Sequence, residues 1–148
     1  MARLPEQKFR DYLEPRMRDQ WMMTWHEDRQ VSPGVPDLHY VPFAEGGIRG
    51  DFRVGWLELK AIDKDISPRN KIGVEASQHQ YIRRWGIYMP IHFLVCIIDR
   101  VFVIPGRYHS EIPNATCYAD ISALSDLQFQ RQLIAEQLPP YLREMTRT

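Results

Sequence analysis

Phe52-Arg-Val-Gly-Trp-Leu-Glu-Leu-Lys-Ala-Ile62 is the stretch that sets the reading of this chain. It is apolar enough to be a central strand of a sheet, since strands buried on both faces carry near-continuous apolar runs. Side chains alternate faces along a strand. Trp56, Glu58 and Lys60 therefore share one face, and Leu57, Leu59 and Ala61 the other. An acid and a lysine two apart in an apolar strand need explaining, because burying either charge alone is costly. One account is an internal ion pair on a solvated sheet face; the other is chemistry.

Working upstream, Ser32-Pro33-Gly34-Val35-Pro36 is a turn by composition, and Asp37 to Pro42 reads as a strand. Residues 43–50 contain Glu45-Gly46-Gly47 and Gly50, a good hairpin loop. If the two strands pair through that loop, Asp37 comes beside Glu58 and Lys60. Read alone, Asp37 is a turn-capping residue. Beside Glu58 it is one of two carboxylates that repel unless a cation bridges them. Oxygen ligands of this kind suit Mg²⁺ or Mn²⁺. The Leu59 carbonyl points sideways from the strand and offers a third ligand. Lys60 is then placed to orient a water or to stabilise charge on a phosphate.

The N-terminus reads as helix from Leu4 to Trp21, with Pro5 at its first position and Glu6 in its first turn. Phe9, Tyr12, Leu13 and Met17 form its inner face. Pro15 predicts a break near Glu14, with a second short helix through about Met22. Residues 24–31 alternate as a short strand or extended loop.

Downstream, Asp63 to Ala76 is a polar loop holding Lys64, Arg69 and Lys71. Ser77 is a fair N-cap with Gln80 three residues on, as in a capping box. That helix runs through Tyr81, Ile82 and Trp85. Ile91 to Ile98 and Val101 to Ile104 read as a hairpin turning at Asp99-Arg100. Residues 107–120 look irregular. A helix capped by Ser122 or Ser125 runs to about Gln137, where Pro139-Pro140 ends it, and a short helix closes the chain. The order predicts an α/β fold, a mixed central sheet flanked by helices. It also predicts one domain over 1–148, with a core of about 5–105 and a C-terminal helical extension over 106–148.

Nineteen basic residues balance nineteen acidic ones, which argues against a protein that coats nucleic acid non-specifically. It does not exclude a nuclease, whose metal-holding carboxylates offset its phosphate-holding cations. The two cysteines, Cys96 and Cys117, form no Cys-x-x-Cys pair, so a zinc ribbon or thiol redox site is not expected. The five histidines are scattered and none reads as a metal ligand. No signal peptide or membrane span is visible, and a cytoplasmic protein is expected. Arg29, Lys64, Arg69 and Lys71 are the phosphate-contact candidates, weighed as a group, because most charge runs are merely solvated faces.

Gly34-Val35-Pro36-Asp37-Leu38, Glu58-Leu59-Lys60 and Ser77-Gln78-His79-Gln80, in this order, resemble the PD-(D/E)XK nuclease superfamily. More narrowly they look like its VRR-NUC-type branch, related to Holliday junction resolvases. The resemblance covers about residues 5–100. It implies a restriction-endonuclease-like core, a bacterial or phage origin, and metal-dependent cleavage of DNA, with junctions or branched DNA as substrates. It implies Asp37 and Glu58 as metal carboxylates, Lys60 as the catalytic lysine, and Gln80 as the helix glutamine that orients the site, with Gln78 its neighbour. Glu6 matches an acid that such nucleases carry on the first helix, and Glu14 competes for that role. Resolvase-like relatives act as dimers, which suits two symmetric cuts. No nucleotide cofactor is implied. The competing readings are a nucleic-acid-binding module without turnover and a structural protein whose acids form surface ion pairs.

Overall fold

The computed structural model describes residues 4–26, 34–44 and 51–148. The elements are α1 (Pro5–Met17), β1 (Trp21–Trp25), β2 (Leu38–Pro42), β3 (Gly55–Ile62), α2 (Ala76–Trp85), β4 (Ile91–Ile97) and β5 (Arg100–Pro105). After two short 3₁₀ turns come α3 (Tyr118–Leu124), β6 (Leu127–Gln130) and α4 (Ile134–Thr146). The expected architecture, a mixed sheet flanked by helices, is the one observed.

The six strands lie side by side in chain order. All neighbours are antiparallel except β3 and β4. A parallel pair cannot be closed by a tight turn and needs a crossover. Residues 63–90 supply it, so α2 lies across the sheet face opposite its own two strands. Every residue of β4 is buried, as expected for a strand covered on both faces.

Each face carries its own apolar layer. Phe9, Leu13 and Met17 of α1 and Ile134, Leu138 and Leu142 of α4 pack with Leu57, Leu59 and Ala61 on one side. Ile82 of α2 and Ile121 of α3 pack with Phe93, Val95 and Phe102 on the other. The alternation read along β3 is the observed one: Trp56 packs against the α2 layer, and its odd-numbered neighbours face α1 and α4.

Pro15 does not break the first helix. It lies in the last turn of α1, where the one bond it forfeits would go to the carbonyl of Asp11, an exposed residue. The second short helix is instead strand β1. Trp21 is buried and Met23 and Trp25 pack on the α1 layer, while Met22 and Thr24 are exposed, a two-residue period. Pro139-Pro140 does not end the last helix either. Ile134, Leu138, Leu142 and Thr146 repeat every four residues on its buried face. The bonds the prolines forfeit belong to Ala135 and Glu136, both exposed, so packing outweighs the loss.

Residues 106–148, read as a helical extension, contribute the edge strand β6 and one helix to each face. β6 escapes a sequence reading because it has only four residues, Leu127-Gln-Phe-Gln130, and its leucine fits helical spacing with Leu133 and Ile134. The chain end folds back on the segment before β3. The Arg53 amide donates to the Thr146 carbonyl at 2.8 Å, and the Thr148 amide to the Asp51 carbonyl at 3.2 Å. Among the described residues no helix is long and apolar enough to cross a membrane.

His92 of β4 is a polar residue inside this frame. Burial pushes its imidazole down to about 4, with Arg107 lowering it further and Asp126 opposing. In the unfolded chain it takes up a proton near pH 6.5. The unfolded state therefore binds more protons between those values. Stability is full above pH 6.5 and falls as pH drops toward 4, by about 3 kcal/mol. Urea denaturation at pH 7 and pH 4.5 checks this. Wild type should lose about 2–3 kcal/mol more between the two than His92→Asn; equal losses would mean His92 does not titrate this way.

Candidate active site

The register Leu38↔Leu57 sets the end of β2 opposite the middle of β3, so Asp37 falls across from Glu58. The hairpin juxtaposition expected from the sequence is therefore present. The two acids lock the strand ends by side chain. The Asp37 amide donates to Glu58 Oε2 at 3.1 Å, and the Leu59 amide donates to Asp37 Oδ2 at 2.7 Å. The Asp37 carboxylate stands in for the carbonyl that a longer β2 would have offered to the Leu59 amide. In an extended strand a residue's N–H and C=O point to the same edge. The Leu59 carbonyl is thus turned toward Asp37 as well.

The third piece comes from α2. Lys60 Nζ donates to Gln78 Oε1 at 2.9 Å, and Gln78 Nε2 donates to Glu58 Oε1 at 2.6 Å. Lys60 Nζ lies 3.8 Å from the same Glu58 oxygen. Glu58 is 2% exposed, Lys60 8% and Gln78 4%. An ion pair on a solvated sheet face is therefore not what these residues form.

Gln78, not Gln80, holds the place on α2. The helix starts two residues earlier than Ser77 predicts: Glu75 is its N-cap, and Glu75 and Gln78 make the reciprocal capping box. Glutamate is not among the favoured N-caps, which is why Ser77 draws the eye. Two residues turn a helix by about 200°. Gln78 and Ile82 consequently face the sheet while Gln80 is exposed. Gln78 Oε1 also accepts the Glu75 amide at 2.9 Å, so one amide group caps the helix and holds the lysine.

Gly34 ties the turn before β2 to the same helix start. Its φ is +82°, and a Cβ there would sit 2.1 Å from the Ser77 backbone oxygen. Both the conformation and the close approach require glycine. Gly34→Ala is expected to lower stability by about 2 kcal/mol or more, since backbone must move. It should also reduce any activity of the site, because the shift separates Asp37 from Gln78. Thermal melting reads the first effect; unchanged melting would mean the contact is not made.

Asp37, Glu58, Leu59 and Lys60 floor a cleft of about 520 Å³. Glu6, Gln7 and Arg10 of α1 form one wall, with Trp25 and His26 at the end of β1 and Glu75 at the head of α2. Glu6 lines this cleft and the smaller hollow beside it; Glu14, about two turns further along α1, lines neither. Arg10 escaped the sequence reading, although it lies one turn from Glu6 on the same helix face. Its guanidinium sits 4.2 Å from the Trp25 ring centre. His26 was also missed. Its Nε2 is 2.6 Å from His39 Nδ1, so one ring must hold the proton between them. Burial, then His26, holds His39 below the usual imidazole range.

Among the described residues no three His, Cys, Asp or Glu side chains converge as a metal cage. The candidate donors are two carboxylates and a strand carbonyl, all hard oxygens from the facing ends of β2 and β3, with Glu6 on the other wall of the cleft. That set fits Mg²⁺ or Mn²⁺, which take one or two carboxylates and keep several waters, and it does not fit zinc. Lys64, Arg69 and Lys71 are exposed on loop 63–75 and line neither hollow. That loop is well anchored: Ile66 and Ile72 are buried, and Ser67 and Asn70 exchange backbone hydrogen bonds. Arg29 lies outside the described residues.

No protein-family model and no curated protein matches this chain. Among solved structures it is similar to Hjc of Archaeoglobus fulgidus, a Holliday junction resolvase from an archaeal hyperthermophile. The TM-score is 0.41 at 14% identity, over 79% of this chain and 97% of that one. The functional reading is carried by the geometry of the site.

Proposed function

We propose that this chain is a divalent-cation-dependent endodeoxyribonuclease that hydrolyses DNA phosphodiester bonds. The observation that supports it most is the linked set Asp37, Glu58 and Lys60 on the floor of an open cleft, with the buried Gln78 behind them bonded to both Glu58 and Lys60. A buried acid–lysine pair rarely adds stability over apolar residues of the same volume. Its place at a cleft floor suits chemistry better than structure.

Asp37, Glu58 and the Leu59 carbonyl would hold the cation, with Glu6 completing the shell from the facing wall. When bound, Mg²⁺ or Mn²⁺ supplies a Lewis acid for the phosphodiester and eases deprotonation of the attacking water. The chain's own work is positioning and charge. The Asp37 amide holds the Glu58 carboxylate and the Leu59 amide holds the Asp37 carboxylate, so neither has to reorganise. Gln78 holds the Lys60 ammonium at the cleft floor, where it can stabilise charge that grows on a phosphate oxygen. Arg10 adds a second cation on the α1 wall. Lys64, Arg69 and Lys71, with Arg29, are proposed as phosphate contacts outside the cleft. Branched or junction DNA is the proposed substrate, cut by a homodimer.

A cleavage panel of four-way junction, flap, linear duplex and single strand, each with Mg²⁺, Mn²⁺ and EDTA, tests the reading. Cleavage in the metal lanes alone is expected. Binding by gel shift with no cut under either metal would instead support a binding module without turnover.

A further inference from the structure

A line of ring contacts leaves the cleft and crosses to the far end of α2. His26, which lines the cleft, stacks on Trp56 at 5.3 Å between centroids, and His39 meets the same ring at 5.1 Å. Trp56 meets Tyr81 at 6.3 Å, Tyr81 meets Trp85 at 6.5 Å, and Trp85 meets Tyr88 at 6.4 Å. The line ends in solvent: Trp85 is 39% exposed and Tyr88 69%. Trp56 and Tyr81 are half-buried against the sheet layer, but the two rings that continue the line into water, beside the exposed Ile87, call for an occupant.

We infer that this strip is a stacking platform for unpaired nucleotides, which leads a single-stranded arm of DNA into the cleft; the inference rests on the nuclease reading. Three observations favour a nucleic-acid strand over a second copy of the chain. The strip is continuous with the candidate active site through His26. Trp56 and Glu58 are two residues apart on one strand face, roughly 7 Å, so a strand led along the rings as far as Trp56 has a phosphate within reach of the acids. The strip is also cationic. Residues 76–89 contain no Asp or Glu, Arg83 and Arg84 stand in the last turn of α2, and the Arg84 guanidinium lies 5.2 Å from the Trp85 ring centre. Two copies meeting face to face here would bring like charges together, whereas a polyanion is attracted. Stacking rings interleaved with arginine are what sequence-tolerant single-strand sites use, because every base has a π-face.

The experiment uses the full chain and two labelled DNAs of one duplex sequence, a blunt duplex and a fork with two unpaired arms. Affinity is read by fluorescence anisotropy in EDTA, and cut positions are mapped with Mg²⁺. The fork should bind about tenfold more tightly than the duplex and be cut near its branch. Trp85→Ala/Tyr88→Ala, both at exposed positions, should erase that difference and leave duplex affinity unchanged. Equal wild-type affinities, or a fork preference that survives the double substitution, would overturn the platform. So would a fall in sedimenting mass from dimer to monomer in the variant, which would assign the strip to a second copy. If the duplex is cut without any fork preference, the platform alone fails. If no DNA is bound or cut, the nuclease reading fails with it.

Discussion

Asp37→Asn is expected to abolish Mg²⁺-dependent DNA cleavage, by about 10³-fold or more, while leaving the fold nearly intact. The two halves of that expectation come from the two jobs of one side chain. Structurally, Asp37 Oδ2 accepts the Leu59 amide at 2.7 Å and so closes the ladder between β2 and β3. Asparagine keeps an oxygen that can accept that bond, and the Asp37 backbone amide that donates to Glu58 is untouched. A change in melting worth less than about 1 kcal/mol is therefore expected. Chemically, asparagine removes one of the carboxylates that would hold the cation. Losing about 4 kcal/mol of transition-state stabilisation corresponds to a factor of about 10³. Asp37→Ala separates the jobs further, because it strands the Leu59 amide and costs about 1–3 kcal/mol in addition. Cleavage assays, calorimetric Mg²⁺ titration and urea melts on the three proteins are the measurements. An Asn variant that binds the ion and cuts within tenfold of wild type would remove Asp37 from the chemistry.

That two-job character explains why some of the molecule is legible in its sequence and some is not. The β3 stretch is legible because one period serves both layers: the apolar residues facing α1 and α4 alternate with Trp56, Glu58 and Lys60 facing α2. Asp37 is legible because Gly and Pro fix the turn before it and the hairpin register follows. Gln78, and not Gln80, faces the sheet for a physical reason: the favoured cap residue, Ser77, competes with a glutamate cap, and only the packing of Ile82 against the sheet decides between them. The prolines of α1 and α4 misled in the same direction. Local propensity says stop, but buried faces spaced by four residues outweigh one or two lost bonds whose carbonyls face water. The β1 alternation starts at Trp21, three residues before it shows clearly in the sequence. The contact of Arg10 with Trp25 and those of Trp56 with His26 and Tyr81 were invisible for another reason: the partners are distant in the chain and carry no shared period.

Lys60→Met offers the other large effect, and it separates catalysis from stability more sharply. Methionine matches the lysine stem in length and leaves Glu58 buried without the ammonium 3.8 Å away. An acid stranded in this way costs about 3–5 kcal/mol. The variant should thus lose cleavage by about 10³-fold or more and melt well below wild type. Adding Glu58→Gln to Lys60→Met removes the stranded charge, so stability should return while activity stays lost; such non-additivity is what groups in one network show. Gln78→Leu tests the positioning role. It removes the bond that holds Lys60 and the one donated to Glu58, and a loss of about 10²-fold in cleavage is expected. Gln80→Ala on the outer face of α2 should stay within about twofold. If the Gln80 variant fell and the Gln78 variant did not, the observed helix start could not be the one at work. If Lys60→Met were unstable but fully active, the buried acid–lysine pair would be a structural device after all, and the cleft would need another source of positive charge.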